Sequence, residues 1–208
     1  MEKTPPKDSI NINVCIIPPD GAGKQCVELA QTLASKATMF ALDGKTKFPH
    51  MTVYMTRVAN DQIPVVTETV GNALKGAQRF ACDHTGYFRT QGRYMEVSYH
   101  KSQEFLDLQV LLIDAVAKLR LNPGNPYEEA YYTPYTLEQQ KNAIDTGYDL
   151  AGNLYRPHVT LTRYYEGKVS EEFPAFLPRK LSFMLSKICV YKADDNGAVY
   201  EKLAEFAL

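Results

Sequence analysis

Pro49-His50-Met51-Thr52-Val53-Tyr54 and Pro157-His158-Val159-Thr160-Leu161-Thr162 are two closely matching stretches of this 208-residue chain. Each contains a proline, a histidine, one apolar residue and a threonine, in a run typical of a β-strand. Because side chains i and i+2 of a strand point to the same face, each stretch presents an imidazole and a hydroxyl side by side. The sequence therefore predicts two strands that each carry one His/Thr face.

The alternation of polar and apolar residues predicts which side chains share each face. A strand buried on both faces would not carry a polar residue at every second position. We expect the polar faces to line a cleft and the apolar faces to pack on helices. The two predicted polar faces consist of His50, Thr52, Tyr54 and Thr56 on the first strand and Arg156, His158, Thr160 and Thr162 on the second. Arg163 has the opposite parity and needs a bend in the strand to reach the cleft.

Two imidazoles that face each other provide an acid and a base. A neutral ring can take a proton from water or a hydroxyl, and a protonated ring can give one to a leaving oxygen. Hydroxyls from Thr52 and Thr160 would hold non-bridging phosphate oxygens, and Arg156 or Arg163 would add positive charge. A single His-x-Thr triplet occurs often by chance, but a repeat with the same preceding proline favours a catalytic role. This set predicts phosphodiester chemistry with no metal and no cofactor.

The overall composition limits the class of partner. The net charge is −1 and the pI is about 6.4, so a global basic field for long DNA or RNA is absent. A nucleotide or a short RNA end fits this balance better. The cysteines are scattered without zinc-binding spacing, which predicts reduced, mostly buried thiols in a cytoplasmic protein. The start of the chain is polar and no apolar run has the length of a membrane helix, so we expect neither signal peptide nor membrane span; we further expect a monomer.

The order of predicted elements indicates an α+β fold over residues 1–208. Helical spacing covers residues 24–42, 62–77 and 102–121, with Ser102 as the N-cap of the third helix. Paired strands are predicted around residues 90–92, and two closing strands at 180–192 and 199–206. A helix-plus-strands unit with one His motif occurs twice. We therefore predict two pseudo-symmetric lobes around a central cleft, each an antiparallel sheet with helices on its outside.

The segment from 122 to 155 is an insert with six tyrosines and a short predicted helix near residues 137–144. Long connections of this kind are usually functional or disordered, and the tyrosine content argues against disorder. Two interpretations stay open. The insert either packs or binds a partner protein, or it forms a lid whose rings stack on a base, with Tyr54, Tyr132 and Tyr135 as candidate stacking residues.

These motifs resemble those of the 2H phosphoesterase superfamily, which includes LigT-like RNA 2′,3′-cyclic phosphodiesterases and so-called 2′-5′ RNA ligases. His50-Met51-Thr52-Val53 and His158-Val159-Thr160-Leu161 match its two defining motifs. The resemblance implies a bilobal α+β fold and metal-independent chemistry. It also implies that His50 and His158 are acid and base, with Thr52 and Thr160 on the phosphate. The insert looks long for the compact bacterial members, which leaves the substrate open.

We therefore expect a hydrolase that opens a 2′,3′-cyclic phosphate or cuts a 2′-5′ linkage, in a nucleotide, a cyclic nucleotide or a short RNA. An oligonucleotide signal belongs to the same substrate class. The alternative is a non-catalytic nucleotide- or RNA-binding module that uses the same cleft. A third hypothesis is a protein-interaction domain built on the insert.

Overall fold

Two four-stranded antiparallel sheets, with helices packed on them, form most of the computed structural model, which describes residues 8–121, 135–168, 180–194 and 197–208. The strands are β1 (Ser9–Ile16), β2 (Thr38–Ala41), β3 (Met51–Ala59), β4 (Ala81–Cys82), β5 (His84–Arg89), β6 (Tyr94–Tyr99), β7 (His158–Tyr164), β8 (Phe183–Met184), β9 (Lys187–Ala193) and β10 (Val199–Ala207). The helices are α1 (Asp20–Leu33), α2 (Ile63–Ala73), α3 (Gln103–Val116) and α4 (Leu137–Thr146), with 3₁₀ turns at Asn60–Gln62, Ala117–Leu119 and Gly152–Leu154.

Each sheet contains one of the two motifs. Sheet A has the order β10-β9-β1-β3, so the first motif lies on its edge strand. Sheet B has the order β2-β7-β6-β5 and carries the second motif on an inner strand. A further two-stranded sheet joins β4 to β8. The described part of the chain thus has the predicted α+β class with antiparallel sheets.

The helices connect the sheets in an interleaved order. α1 packs against β2 and β7 of sheet B, although it follows β1 of sheet A. α3 packs on β3 of sheet A and on α2, which in turn reaches β10. Buried side chains from both sheets, among them Ile12, Met51, Val97 and Val159, belong to one continuous core. The two units of the predicted repeat are therefore not consecutive in sequence, because each half of the chain contributes strands to both sheets.

The first predicted helix is too long. It ends at Leu33, and Thr38–Ala41 form the edge strand β2 instead. A turn closed by the hydrogen bond from Thr38 N to Ser35 O at 3.1 Å reverses the chain, and Phe40 then pairs with Arg163 of β7. Residues 38–41 satisfy helical spacing equally well, and the available partner strand decides their conformation.

Other local predictions agree with the structure. Ser102 occupies the predicted N-cap position of α3, although its side chain makes no capping hydrogen bond. The short helix of the insert is α4, whose N-cap Thr136 forms a reciprocal capping box with Gln139. The first of the two closing strands is shorter than predicted, since its start at residues 183–184 pairs with β4.

All four cysteines are buried and free, and burial raises the pKa of Cys26 to about 12. This agrees with the prediction of reduced, buried thiols. Over the described ranges, no helix combines the length and the apolar composition that crossing a membrane requires.

Candidate active site

The first histidine is fixed by a carbonyl group two residues before it. His50 directly precedes β3 and is half-buried, and its Nδ1 donates to the carbonyl oxygen of Phe48 at 2.9 Å. Because a carbonyl oxygen only accepts, Nδ1 carries the proton and Nε2 is the nitrogen left for chemistry. Burial lowers the pKa of the His50 ring, against the opposing effect of the Phe48 carbonyl. Near neutral pH the ring is therefore biased towards its neutral form.

The second histidine has the same support. His158 opens β7, and its Nδ1 donates to the carbonyl oxygen of Arg156 at 2.6 Å. In both motifs the carbonyl belongs to the residue before the proline. A proline has no N–H and holds its φ near one value, so it presents the preceding carbonyl to the ring in the same way each time. Both rings therefore have the same tautomer when neutral.

The two rings act on each other electrostatically. The charge of His158 lowers the pKa of His50 further, after burial, and their strands β3 and β7 are in contact. The end of the β9–β10 hairpin also lies at His50, where the Gly197 carbonyl and Asp194 both favour the protonated ring. The fold thus joins two histidines that are 108 positions apart, from 50 to 158.

Each motif contains a β-bulge at its fourth residue. In the pairing of β1 with β3, Val14 opposes Tyr54 and Cys15 opposes Thr52, so Val53 is the extra residue. In the pairing of β6 with β7, Met95 opposes Thr162 and Glu96 opposes Thr160, so Leu161 is the extra residue. A bulge shifts the alternation of side chains by one position and commonly re-aims side chains at active sites.

Because of the bulges, the residues beyond each threonine do not lie on the predicted polar faces. Tyr54 has no exposed surface, and its hydroxyl donates to the Thr146 carbonyl at 2.5 Å; it is therefore not available to stack on a base. Thr56 is buried as well, and fully buried Thr162 donates its hydroxyl to the Phe40 carbonyl. The predicted parity holds only as far as Thr52 and Thr160.

The second bulge places Arg163 on the face that simple alternation excluded it from. Arg163 opposes Tyr94, and Glu96 opposes Thr160. Tyr94 and Glu96 are two apart on a regular strand, so Arg163 lies on the same face as Thr160. Its guanidinium lies 4.7 Å from the centre of the Tyr94 ring, and its Nε donates to the Gly92 carbonyl at 3.3 Å.

Thr52 is oriented by a residue that the sequence analysis missed. Asn13 of β1 is completely buried, and its Nδ2 donates to Thr52 Oγ1 at 2.9 Å. The hydroxyl oxygen accepts this bond, so its own proton is left to donate elsewhere. The signal in the sequence is an asparagine between Ile12 and Val14, in the middle of an apolar strand. Such a residue needs a polar partner once the strand is buried.

A buried carboxylate beside the second motif was missed as well. Glu96 lies across from Thr160 in the sheet, and its Oε2 accepts a bond from Arg156 Nη1 at 2.9 Å. Its Oε1 lies 3.6 Å from His158 Nε2. Arg156, predicted to hold phosphate, therefore also forms an ion pair inside the site, and its side chain stays 40% exposed.

Phe88 is an exposed aromatic side chain on the same face. It opposes Glu96 in the sheet and is 48% exposed, with the Arg156 guanidinium 5.1 Å from its ring centre. An isolated phenylalanine in a hairpin gave no sequence signal. Of the predicted stacking residues in the insert, Tyr135 is half-buried next to α4, and Tyr132 lies outside the described residues.

Gly23 permits close packing around the start of α1. It lies in the first turns of α1, where a Cβ atom would approach the Pro18 carbonyl oxygen to 3.1 Å and Pro49 to 3.7 Å. The helix can therefore sit close to the proline of the first motif. In the described ranges, no three His, Cys, Asp or Glu side chains group as metal ligands would.

No protein-family model matches the sequence, and no curated protein matches it. Solved structures do match in fold. LigT of E. coli in complex with phosphate has a TM-score of 0.63 at 12% identity, over 97% of this chain and 99% of that one. TT0787 of Thermus thermophilus has a TM-score of 0.61 at 19% identity, over 96% and 98%.

The chain has the LigT fold. This confirms the architecture that the two motifs implied. The LigT fold brings together His50 and His158 from different sheets, with Thr52 beside the first ring and Thr160 beside the second. It adds Asn13, Glu96 and Phe88 to the site and removes Tyr54 from it.

Proposed function

We propose that this chain is a metal-independent phosphodiesterase of the 2H type that acts on a nucleotide or an RNA end. The observation that carries the proposal is the matched presentation of two histidines. In each, Nδ1 donates a hydrogen bond to the carbonyl of the residue before the proline. Each histidine precedes a half-buried threonine by two positions. The charge of one ring also acts on the other. One neutral and one protonated ring are what acid–base cleavage of a phosphodiester requires.

The proposed reaction on a 2′,3′-cyclic phosphate needs only these groups. As the water oxygen bonds to phosphorus, one proton of the water passes to Nε2 of the neutral ring. The bond from phosphorus to one ribose oxygen breaks, and that oxygen takes the proton from Nε2 of the other ring. The hydroxyls of Thr52 and Thr160 donate to the non-bridging oxygens, where negative charge develops. Arg163 and the exposed part of Arg156 add positive charge nearby.

A nucleoside is the favoured attachment to the phosphate. Structures with this fold include E. coli LigT in complex with 3′-AMP, at 14% identity and a TM-score of 0.63 over 96% of this chain and 98% of that one. In this chain, exposed Phe88 supports stacking on a base, since every base offers a π-face. Tyr132 and Tyr135 remain proposed contributors from the insert, either as a lid or as a partner surface. We further propose that the protein is a cytoplasmic monomer. Residues 1–208 would form a single bilobal domain.

A substrate screen tests the proposal directly. Purified protein is incubated with 2′,3′-cyclic nucleotides, 2′-5′ and 3′-5′ dinucleotides and cyclic dinucleotides, and the products are identified by mass. We expect turnover of at least one compound that is unchanged in EDTA. His50→Ala and His158→Ala should each abolish turnover, whereas His100→Ala, an exposed histidine outside the motifs, should retain it.

Full activity in either motif variant would contradict the acid–base mechanism. Tight binding of a cyclic phosphate without turnover at any pH would instead support the binding-module hypothesis. Loss of activity in EDTA that added metal restores would contradict metal independence.

A further inference from the structure

Glu96 is a buried carboxylate beside His158, one of the two histidines of the proposed chemistry. It lies within β6 between buried Met95 and Val97, and only 3% of its side chain is exposed. An ionised carboxylate is costly to bury unless it is paired and hydrogen-bonded. A fold that only needed a packed strand would place an apolar or neutral residue here, so the interactions of Glu96 indicate its role.

Its two oxygens have different partners. Oε2 accepts a hydrogen bond from Arg156 Nη1 at 2.9 Å. Oε1 lies 3.6 Å from His158 Nε2, which is an ion-pair distance and too long for a hydrogen bond. The carboxylate therefore faces Nε2 without forming a hydrogen bond to it. A substrate oxygen that enters the site can still take a proton from that nitrogen.

The other charges around His158 come from three further places. Arg156 lies two residues before His158, and its guanidinium forms the ion pair with Glu96. Asp149, from the segment after α4, interacts favourably with protonated His158, and His50 opposes that form. Glu96 thus works with Asp149 against the repulsion between the two rings. At His50, burial acts against the charged form.

We propose that Glu96 is a positioning residue that keeps His158 as the proton donor and thereby leaves His50 as the base. This inference rests on the proposed function for its catalytic consequence. In the reaction, His50 Nε2 takes the proton of the attacking water, and His158 Nε2 gives its proton to the leaving ribose oxygen. Glu96 acts through His158 and transfers no proton itself.

The experiment follows the protonation of both rings directly. The ¹⁵N signals of the imidazoles are titrated by NMR in the wild-type protein, in Glu96→Gln and in the control Glu201→Gln. Glu201 is an exposed residue of β10 that pairs with Lys192. We expect His158 in E96Q to lose its proton at a lower pH than in the wild-type protein, since a negative charge within about 4–6 Å favours the protonated ring. E201Q should not move it.

Activity gives the second readout. In E96Q the alkaline limb of the kcat/KM profile should move to lower pH together with the His158 titration, so the loss is larger at alkaline pH than at acidic pH. Glu96→Asp keeps the charge and should restore part of the alkaline activity; it also serves if the glutamine variant fails to fold. A uniform loss at every pH would mean a purely structural role and would overturn the inference.

The two proposals fail in distinguishable ways. An unchanged His158 titration in E96Q overturns the role of Glu96 even if the enzyme turns over substrate. If the titration shifts but the protein cleaves no phosphodiester, the effect of Glu96 on His158 stands and the proposed function is overturned.

Discussion

Val53 and Leu161 are the same position of the two motifs, and each is the residue without an opposite partner in its sheet. Both bulge carbonyls are nevertheless satisfied. Gln109 Nε2 of α3 donates to the Val53 carbonyl at 3.1 Å, and Leu42 N donates to the Leu161 carbonyl at 3.3 Å. The bulges are therefore built features of the fold, and each interrupts the regular alternation of its motif directly after the threonine.

Gln109→Leu tests how the first bulge is held. The buried amide also donates to the Leu150 carbonyl at 3.2 Å and accepts from Gly152 N at 2.8 Å, so the variant leaves several buried groups unpaired. We expect the free energy of unfolding to fall by about 1–3 kcal/mol, measured by urea denaturation. The matched control is Gln103→Leu on the exposed face of the same helix, for which a change within about 0.5 kcal/mol is expected. Equal stability of the two variants would contradict this role.

A double-mutant cycle tests the pair Asn13–Thr52. Thr52→Val removes the hydroxyl and should lower kcat by about 10²-fold, the cost typical of one lost oxyanion donor. Asn13→Ala should lower kcat by a smaller factor, because the hydroxyl remains but is no longer oriented. In the T52V background the same change should have little further effect, since residues in contact are not additive. Asn11→Ala, two positions earlier on β1, is the control; additive losses at 13 and 52 would argue that they act separately.

The pH dependence follows from the lowered pKa of His50. As the proposed base, this ring must be neutral, so kcat/KM should fall on acidification through a midpoint below the ordinary histidine value of about 6.5. The unfolded chain binds this proton first as the pH falls, so the free energy of unfolding should also decrease below about pH 6.5. His50→Asn should remove this part of the pH dependence, measured by denaturation at several pH values. A midpoint above the ordinary value would contradict burial as the dominant effect.

Phe88→Ala tests base stacking. Loss of one stacked base costs about 1–3 kcal/mol, so KM for a nucleotide should rise by roughly 5- to 150-fold with kcat little changed. Glycerol 1,2-cyclic phosphate, which lacks a base, should be turned over equally by wild type and variant. Tyr200→Ala, another exposed aromatic residue of the described chain, is the control. An equal loss on both substrates would place Phe88 outside base recognition.

The sequence by itself determined the two motifs, the tautomer-setting proline before each histidine and the α+β class, because these depend on local order and on strand periodicity. It also determined where α4 begins, because Thr136 forms a capping box with Gln139 three residues later. Capping is a local interaction that neighbouring residues are enough to form.

Only the tertiary structure decided what lies beyond each threonine. A bulge arises from the pairing of two strands, so nothing within residues 50–56 reveals that Tyr54 turns into the core. Pairing with β7 likewise made residues 38–41 a strand. Pairing of neighbouring strands within each sheet also brought Asn13 to Thr52 and Glu96 to His158. These contacts join residues distant in sequence, and their free energy depends on burial that local patterns do not encode.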